Sequence, residues 1–105
     1  MILLGIDPGF SAVGVAAFDT EIGPVELAVI RTKKSQRKSA LVATDNFARA
    51  LHIAMHLDFF VVKYSAIVCS EAQSWPRNAS ACAKVGMCWG ILATLSKEVL
   101  QVSPQ

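Results

Sequence analysis

The sequence has 105 residues, which allows one domain with a core of limited size. A hydrophobic content of 53% is high for this length and indicates a strongly buried sheet or a surface that a partner covers. The net charge of +2 is too small to predict a nucleic-acid partner by itself. Uncharged runs fall short of the roughly 18–20 residues of a membrane helix, so we expect no membrane partner. Three cysteines without a Cys-x-x-Cys pair, and no evident signal peptide, predict a reduced, intracellular (cytoplasmic) protein.

An apolar run opens the chain and predicts a central strand that is buried on both faces. Asp7 interrupts this run and is followed by Pro8-Gly9. Proline ends strand pairing and glycine permits a tight reversal, so Asp7 should lie at the carboxyl end of the strand. Ligands and metals gather there in open α/β sheets. Asp7 is therefore either a turn residue that caps local amides or a ligand, and this stretch alone does not decide between the two.

The next segments predict two further strands, over 11–18 and 25–32, with a hairpin turn at 19–24. Together with the first strand they form an antiparallel meander. A basic loop follows, because five of the ten basic residues lie within 31–38, namely Arg31, Lys33, Lys34, Arg37 and Lys38. Such a loop is ordinarily a solvated connection, and it becomes a phosphate contact if it flanks a nucleic-acid site.

Residues 39–62 are predicted to form a long helix with Ser39 as its N-cap. Its apolar residues recur at spacings of three, four and seven, at Leu41, Ala48, Leu51, Met55, Phe59 and Val62. His52 and His56 stand four apart, which is the spacing of a paired metal site. However, Ile53 stands where the His-Glu-x-x-His motif has glutamate, and no third ligand is apparent. We therefore expect these histidines on the polar face of the helix, with Arg49 and Asp45.

A fourth strand over 64–70 ends in a second carboxylate, Glu71. A helix between strands implies a parallel, right-handed crossover. If this strand lies beside the first, Asp7 and Glu71 meet at one sheet edge and offer the oxygen ligands that Mg²⁺ or Mn²⁺ prefers. Asn78 should cap a second helix, 79–97, before a fifth strand, 99–103. The predicted class is α/β, a five-stranded mixed sheet of order 3-2-1-4-5 with strand 2 antiparallel and both helices on one face.

Two blocks of the sequence resemble RuvC-type Holliday junction resolvases of the RNase H-like superfamily. The first is Gly5-Ile6-Asp7-Pro8-Gly9 with Gly14. The second runs from Glu71 through Asn78-Ala79 to Lys84, Gly86 and Gly90, with the spacing of the family pattern. The resemblance implies an RNase H-like domain over 1–105 that cleaves four-way DNA junctions in a metal-dependent reaction. The departures from the pattern, which weaken the implied junction specificity, are Phe10, Val13 and Trp89.

The resemblance also implies roles for individual residues. Asp7 and Glu71 would be the catalytic residues and would bind Mg²⁺ or Mn²⁺. The expected nucleic-acid contacts of the second block are Ser74, Trp75, Arg77, Asn78 and Lys84. Independently of the resemblance, the charge of the basic loop predicts sequence-independent contacts by Lys33 and Lys34. Trp75 would either stack on an exposed base or form a hydrophobic lid on the sheet edge.

Such resolvases carry two further acidic residues in a helix that follows the fifth strand, and this sequence ends before that helix. We therefore expect a domain that is truncated at its carboxyl end. One alternative is a catalytically incomplete core that binds branched DNA or dimerises without cleaving. Another is a pre-ribosomal-RNA maturation nuclease, although that family lacks the pattern from Asn78 to Gly86. Actin-like ATPases share the opening strand but need a second phosphate loop and a second domain.

The second helix is apolar around most of its circumference, which indicates burial on more than one side. Its apolar residues are Ala81, Cys82, Val85, Met87, Cys88, Trp89, Ile91, Leu92 and Leu95. The central strands are also apolar on both faces, whereas both predicted helices cover only one. We therefore predict a homodimer with the 79–97 helix at a two-fold interface.

Overall fold

The computed structural model of the protein describes residues 1–37, 39, 41–71, 78–95 and 98–102. The elements are β1 (Ile2–Asp7), β2 (Ala12–Asp19), β3 (Gly23–Arg31), α1 (Val42–Tyr64), β4 (Ile67–Glu71), α2 (Ala79–Ala93) and β5 (Val99–Val102). The five strands form one sheet in the order β3-β2-β1-β4-β5. Strand β2 is antiparallel to β1 and β3, and β4 is parallel to β1 and β5. The predicted fold class, strand order and strand directions are confirmed.

Both helices pack on one face of the sheet, as right-handed crossovers in the same direction require. The core between them joins Leu4 and Ile6 of β1 to Leu57 of α1 and to Ile91 and Leu92 of α2, all at most 7% exposed. In β1 the buried Leu4 and Ile6 are alternate residues. This alternation fixes the register of β1 against its neighbours, because a slip by one residue would turn these apolar side chains away from the core. Within the described ranges, neither helix is long and apolar enough to cross a membrane.

The described residues leave the opposite face of the sheet open, and apolar side chains from four strands lie on it. They are Phe18, Val25, Leu27, Val29, Ile67, Leu100 and Val102, with exposed fractions from 39% to 80%. Between them the surface is lined by small residues of the central strands, including Gly5, Gly14 and Ala16. This open face agrees with the prediction that the central strands are apolar on both faces, whereas both helices cover only one face of the sheet.

Helix α1 differs from its prediction at both ends. It begins at Val42 after Leu41, whose side chain makes no capping hydrogen bond, so Ser39 is not the N-cap. It continues through Tyr64 and ends where Ser65 adopts the left-handed conformation with φ 46°. Strand β4 consequently begins at Ile67 rather than at residue 64. Local sequence does not mark this stop, because the left-handed position is occupied by serine instead of the usual glycine.

The face of α1 that packs on the sheet is also different from the expected one. The periodic residues Leu51, Met55, Phe59 and Val62 are 49–66% exposed, whereas Ile53, Leu57, Phe60 and Val61 are buried. Arg49, which we expected on the polar face, is only 5% exposed. That expectation is wrong because α1 carries two apolar stripes, and packing against the sheet selects one of them.

The remaining boundaries are close to prediction. Strand β3 begins at Gly23, which has a φ of +94° that favours glycine at the hairpin turn. Helix α2 ends at Ala93, earlier than predicted, and the Thr94 hydroxyl donates a 2.7 Å hydrogen bond to the carbonyl oxygen of Ile91. Lys97 and Ser103, the predicted ends of α2 and β5, lie outside the described residues.

Candidate functional site

Asp7 is the last residue of β1 and pairs with Gly14 of β2. The turn that follows requires glycine at position 9, because a Cβ atom there would lie 2.4 Å from the backbone oxygen of Ala12. The chain can therefore reverse directly after Asp7 and leave this carboxylate at the end of the strand, exposed to solvent.

Glu71 is the last residue of the parallel neighbour β4. The register of the two strands runs from Leu3 opposite Ile67 to Ile6 opposite Ser70, and the same offset brings Glu71 level with Asp7. Both carboxylates belong to the open face, since the alternate positions of each strand point into the helix-covered core. Asp7 and Glu71 line one groove of about 950 Å³ on this face.

The donor set of this groove suits a hard divalent cation. Two carboxylates supply oxygen ligands, and Mg²⁺ keeps much of its water shell, so water and a substrate phosphate can complete the coordination. Among the described residues, no group of three or more histidine, cysteine, aspartate and glutamate side chains could hold a metal. Asp7 and Glu71 are thus the residues of the groove that could hold such an ion, with Mn²⁺ as the chemical alternative to Mg²⁺.

Two of the predicted nucleic-acid contacts belong to α2 and its N-cap, which follow Glu71 along the chain. Asn78 is its N-cap, and the side-chain oxygen of Asn78 accepts a 2.8 Å hydrogen bond from the backbone N–H of Ala81. Lys84 lies in the second turn of the helix and is half-buried. Ser74, Trp75 and Arg77 fall outside the described residues, so their roles stay predictions.

The basic loop leaves the sheet at the same edge. Arg31, the last residue of β3, pairs with Ala12, the first residue of β2, so β3 ends beside the turn that follows Asp7. Lys33 and Lys34 follow after Thr32 and are exposed. Their exposure at this end of the sheet allows them to contact phosphates of a bound nucleic acid, and that role also stays a prediction.

His52 and His56 are exposed, as expected for the outer side of α1. Their ring centroids lie 4.1 Å apart, and the Nδ1–H of His56 donates a 2.7 Å hydrogen bond to the carbonyl oxygen of His52. No third metal ligand joins them in the part of the chain that the structure describes. The pair is a local helix contact.

A buried arginine is the feature that sequence reasoning missed. Arg49 Nε donates a 3.0 Å hydrogen bond to the hydroxyl of Thr32, and its Nη2 donates a 3.2 Å bond to the hydroxyl of Ser11. The Thr32 hydroxyl in turn donates to the carbonyl oxygen of Phe10, whose ring lies 4.4 Å below the guanidinium carbon. Helix α1 is thereby tied to the end of β3 and to the turn after Asp7. The one sequence signal is a charged residue between alanines in an apolar helix.

No protein-family model matches the sequence, and no curated protein matches it. Solved structures do share the fold. The Thermus thermophilus RuvC structure in complex with a Holliday junction substrate superposes with a TM-score of 0.79 at 19% identity, over 99% of this chain and 65% of that chain. A second Thermus thermophilus RuvC structure gives a TM-score of 0.76 at 20% identity, over 99% and 64%.

Weaker likeness extends to other enzymes. The Fowlpox virus resolvase in complex with Holliday junction DNA has a TM-score of 0.51 at 14% identity, over all of this chain and 62% of that one. An Aquifex aeolicus Ppx/GppA phosphatase has a TM-score of 0.58 at 8% identity, but only 36% of its chain is covered. This chain thus spans just under two thirds of the RuvC chains, and at these identities the likeness establishes a RuvC-like, RNase H-like fold.

Proposed function

We propose that this chain is the core of a metal-dependent nuclease that hydrolyses phosphodiester bonds in four-way DNA junctions. The observation that carries the proposal is the meeting of Asp7 and Glu71 in one groove, at the carboxyl ends of two adjacent parallel strands. The fold that holds them is that of a RuvC whose solved complex contains a Holliday junction. Junction DNA at that edge would also meet the exposed Lys33 and Lys34.

In this proposal Asp7 and Glu71 hold Mg²⁺ or Mn²⁺. A bound divalent ion supplies charge stabilisation for the phosphate and a more acidic bound water as nucleophile. The chain's own residues fix the position of the carboxylates, since Gly9 permits the reversal after Asp7 and strand pairing holds Glu71 level with it. Lys33, Lys34 and Lys84 would hold the DNA backbone. Asn78, the N-cap of α2, would contact the DNA as well, together with Ser74, Trp75 and Arg77, which precede it in the sequence.

A second candidate function is binding of branched DNA without cleavage. The specific observation in its favour is the small donor set, because two carboxylates fit one ion whereas two-metal hydrolysis holds two ions about 3.5–4 Å apart. The described residues supply no further carboxylate to the groove of Asp7 and Glu71.

Cleavage of a labelled four-way junction tests the proposal and separates the two candidates. We expect Mg²⁺-dependent nicking of the junction, with matched duplex DNA and a structured RNA left uncut. Asp7→Asn and Glu71→Gln should lower the rate by about 100-fold or more, since even residues behind metal ligands cost 10–100-fold, and should leave junction binding intact. Glu21→Gln is the matched control, because Glu21 is exposed in the β2–β3 turn at the far end of the sheet.

Cleavage that survives Asp7→Asn would refute the assignment of the site. Tight junction binding with no Mg²⁺- or Mn²⁺-dependent cleavage would select the binding function instead. Cutting of RNA in preference to the junction would favour an RNA-processing nuclease.

A further inference from the structure

Arg49 is a buried cation whose charge has no carboxylate partner in the described part of the chain. Its guanidinium donates to two neutral hydroxyls, those of Thr32 and Ser11. Its third nitrogen, Nη1, is buried and has no hydrogen-bond partner among the described residues. The one salt bridge found there within 4.0 Å joins Lys63 to Glu26, far from Arg49 in the chain.

This arrangement is costly if nothing else compensates it. The guanidinium group of Arg49 carries a positive charge and is only 5% exposed. Buried charges are ordinarily paired, because the loss of hydration is not recovered by neutral hydrogen bonds alone. An anion that is bound next to Arg49 would supply the missing compensation.

The surroundings of Arg49 provide room and further positive charge. Arg49 forms part of the wall of a pocket of about 290 Å³. Two more cations, Arg31 and Lys33, line this pocket together with His52, and the one carboxylate among its described lining residues is that of Asp45. An oxygen of Asp45 already accepts a 3.1 Å hydrogen bond from the backbone N–H of Ser35. Three cations against one carboxylate favour an anionic ligand.

We propose that this pocket is a phosphate oxyanion site, in which Arg31, Lys33 and Arg49 compensate the ligand's charge. The site is separate from the groove of Asp7 and Glu71, since the two share no lining residue. It lies at the same end of the strands as that groove, because Arg31 at the end of β3 pairs with Ala12 at the start of β2. In the sheet order, β3 is two strands away from β1. The phosphate is either free inorganic phosphate or a backbone phosphate of DNA. Only the DNA phosphate depends on the proposed function.

Thermal unfolding in phosphate and in chloride at equal ionic strength tests the site. At a phosphate concentration of about five times Kd, we expect the Tm of the protein to rise by about 4–8 °C over chloride. Arg49→Met should abolish this rise, and Arg31→Ala should weaken the affinity for phosphate about threefold or more. Lys63→Met is the matched control, since it removes a cation from the same helix, at the end that contacts Glu26, and should keep the full response.

Binding of a short labelled duplex assigns the source of the phosphate. If Arg49→Met abolishes the phosphate response and also lowers the salt slope of DNA binding by about 0.9, the site takes a backbone phosphate. If the phosphate response is lost and DNA binding is unchanged, the site takes free phosphate. Neither measurement involves cleavage, so an inactive nuclease leaves this test intact.

Two results would overturn the proposal. One is a wild-type Tm that is the same in phosphate and chloride. The other is a phosphate response that persists undiminished in Arg49→Met and Arg31→Ala. Should Arg49→Met fail to fold, Arg31→Ala and Lys33→Ala decide the matter, because both side chains are exposed and their loss leaves the core unchanged.

Discussion

A Cβ atom on Gly14 would lie 3.4 Å from the Cβ of Asp7, because the two residues pair across β1 and β2. Both residues line the groove that also contains Glu71. The absence of a side chain at position 14 therefore leaves the space beside the Asp7 carboxylate open. A larger residue would narrow the groove at the point where a cation and a phosphate would bind.

Gly14→Val should consequently lower the affinity of the protein for Mn²⁺ by about fivefold or more, because its methyl groups crowd the Asp7 side chain. The strand itself should tolerate valine, since β-branched residues suit extended backbone. Isothermal titration with Mn²⁺ measures the effect. Ala16→Val is the control, since Ala16 lies on the same face of β2 but opposite Gly5. Equal losses in both variants would contradict a specific effect on Asp7.

The strand order could be predicted from sequence because it depends on features that span whole elements. Three short-linked strands require a meander, and a helix before the strand of Glu71 requires a parallel crossover. The meeting of Asp7 and Glu71 follows from that order, since both residues end strands that become neighbours. The side of α1 that packs inward does not follow, because Leu51 and Leu57 belong to two apolar stripes of similar spacing and only packing chooses between them.

The Arg49 network could not be predicted for a different reason. Thr32 and Ser11, its two hydrogen-bond acceptors, lie 17 and 38 residues away in the sequence. Neither contact has a local spacing that a motif could reveal. Only the packing of α1 over the ends of β2 and β3 brings the three side chains together.

A polar cluster at the other end of the sheet predicts how stability depends on pH. The Tyr64 hydroxyl and the Lys63 ammonium both donate hydrogen bonds to one oxygen of Glu26, the latter at 3.0 Å. The bond from Tyr64, and then that from Lys63, lowers the pKa of Glu26 below its ordinary value of 4.5. The bonds to Glu26 raise the pKa of Tyr64 above 10.0 and that of Lys63 above 10.5.

The directions of these three pKa shifts predict that stability is lost at both low and high pH. The contribution of Glu26 is complete above pH 4.5 and disappears as the pH falls through its lower folded pKa. The contributions of Tyr64 and Lys63 are complete below pH 10.0 and disappear as the pH rises through their higher folded pKa values. Glu26→Gln should therefore reduce the loss of unfolding free energy both from about pH 7 to 3 and from about pH 7 to 11, as measured by urea unfolding. Glu98→Gln, at an exposed position, is the charge-matched control. If the unfolding free energy of Glu26→Gln depends on pH as steeply as that of the wild type, the prediction is contradicted.

Asn78 allows a structural role and a binding role to be measured separately. Its side-chain oxygen caps α2, so Asn78→Ala should lower the free energy of unfolding by about 1 kcal/mol. Asn78→Asp should keep the cap, because aspartate accepts the same bond from the N–H of Ala81. If Asn78 also contacts DNA, the aspartate variant should bind a junction less tightly at unchanged stability, since its charge repels phosphate. Equal junction affinity in Asn78→Asp and wild type would limit Asn78 to capping.

The predicted homodimer has two candidate surfaces, because the described part of the chain leaves two apolar surfaces uncovered. One is the open face of the sheet, where Leu27 is 80% exposed. The other is the helical side, where Phe47 and Leu51 of α1 meet Met87 of α2 around an apolar groove of about 270 Å³. The second surface continues along the exposed stripe of α1 and includes α2, the helix that the sequence places at the interface.

We therefore expect light scattering at micromolar concentration to give the mass of a dimer that forms through the helical side. Leu51→Lys and Met87→Lys should each weaken the dimer by about 2 kcal/mol, or roughly 30-fold in Kd, because a lysine there buries charge in an apolar contact. Leu27→Lys places the same charge on the open sheet face and should leave the dimer intact. A stable wild-type monomer would refute self-association. A dimer that dissociates with Leu27→Lys but survives Leu51→Lys and Met87→Lys would move the interface to the sheet.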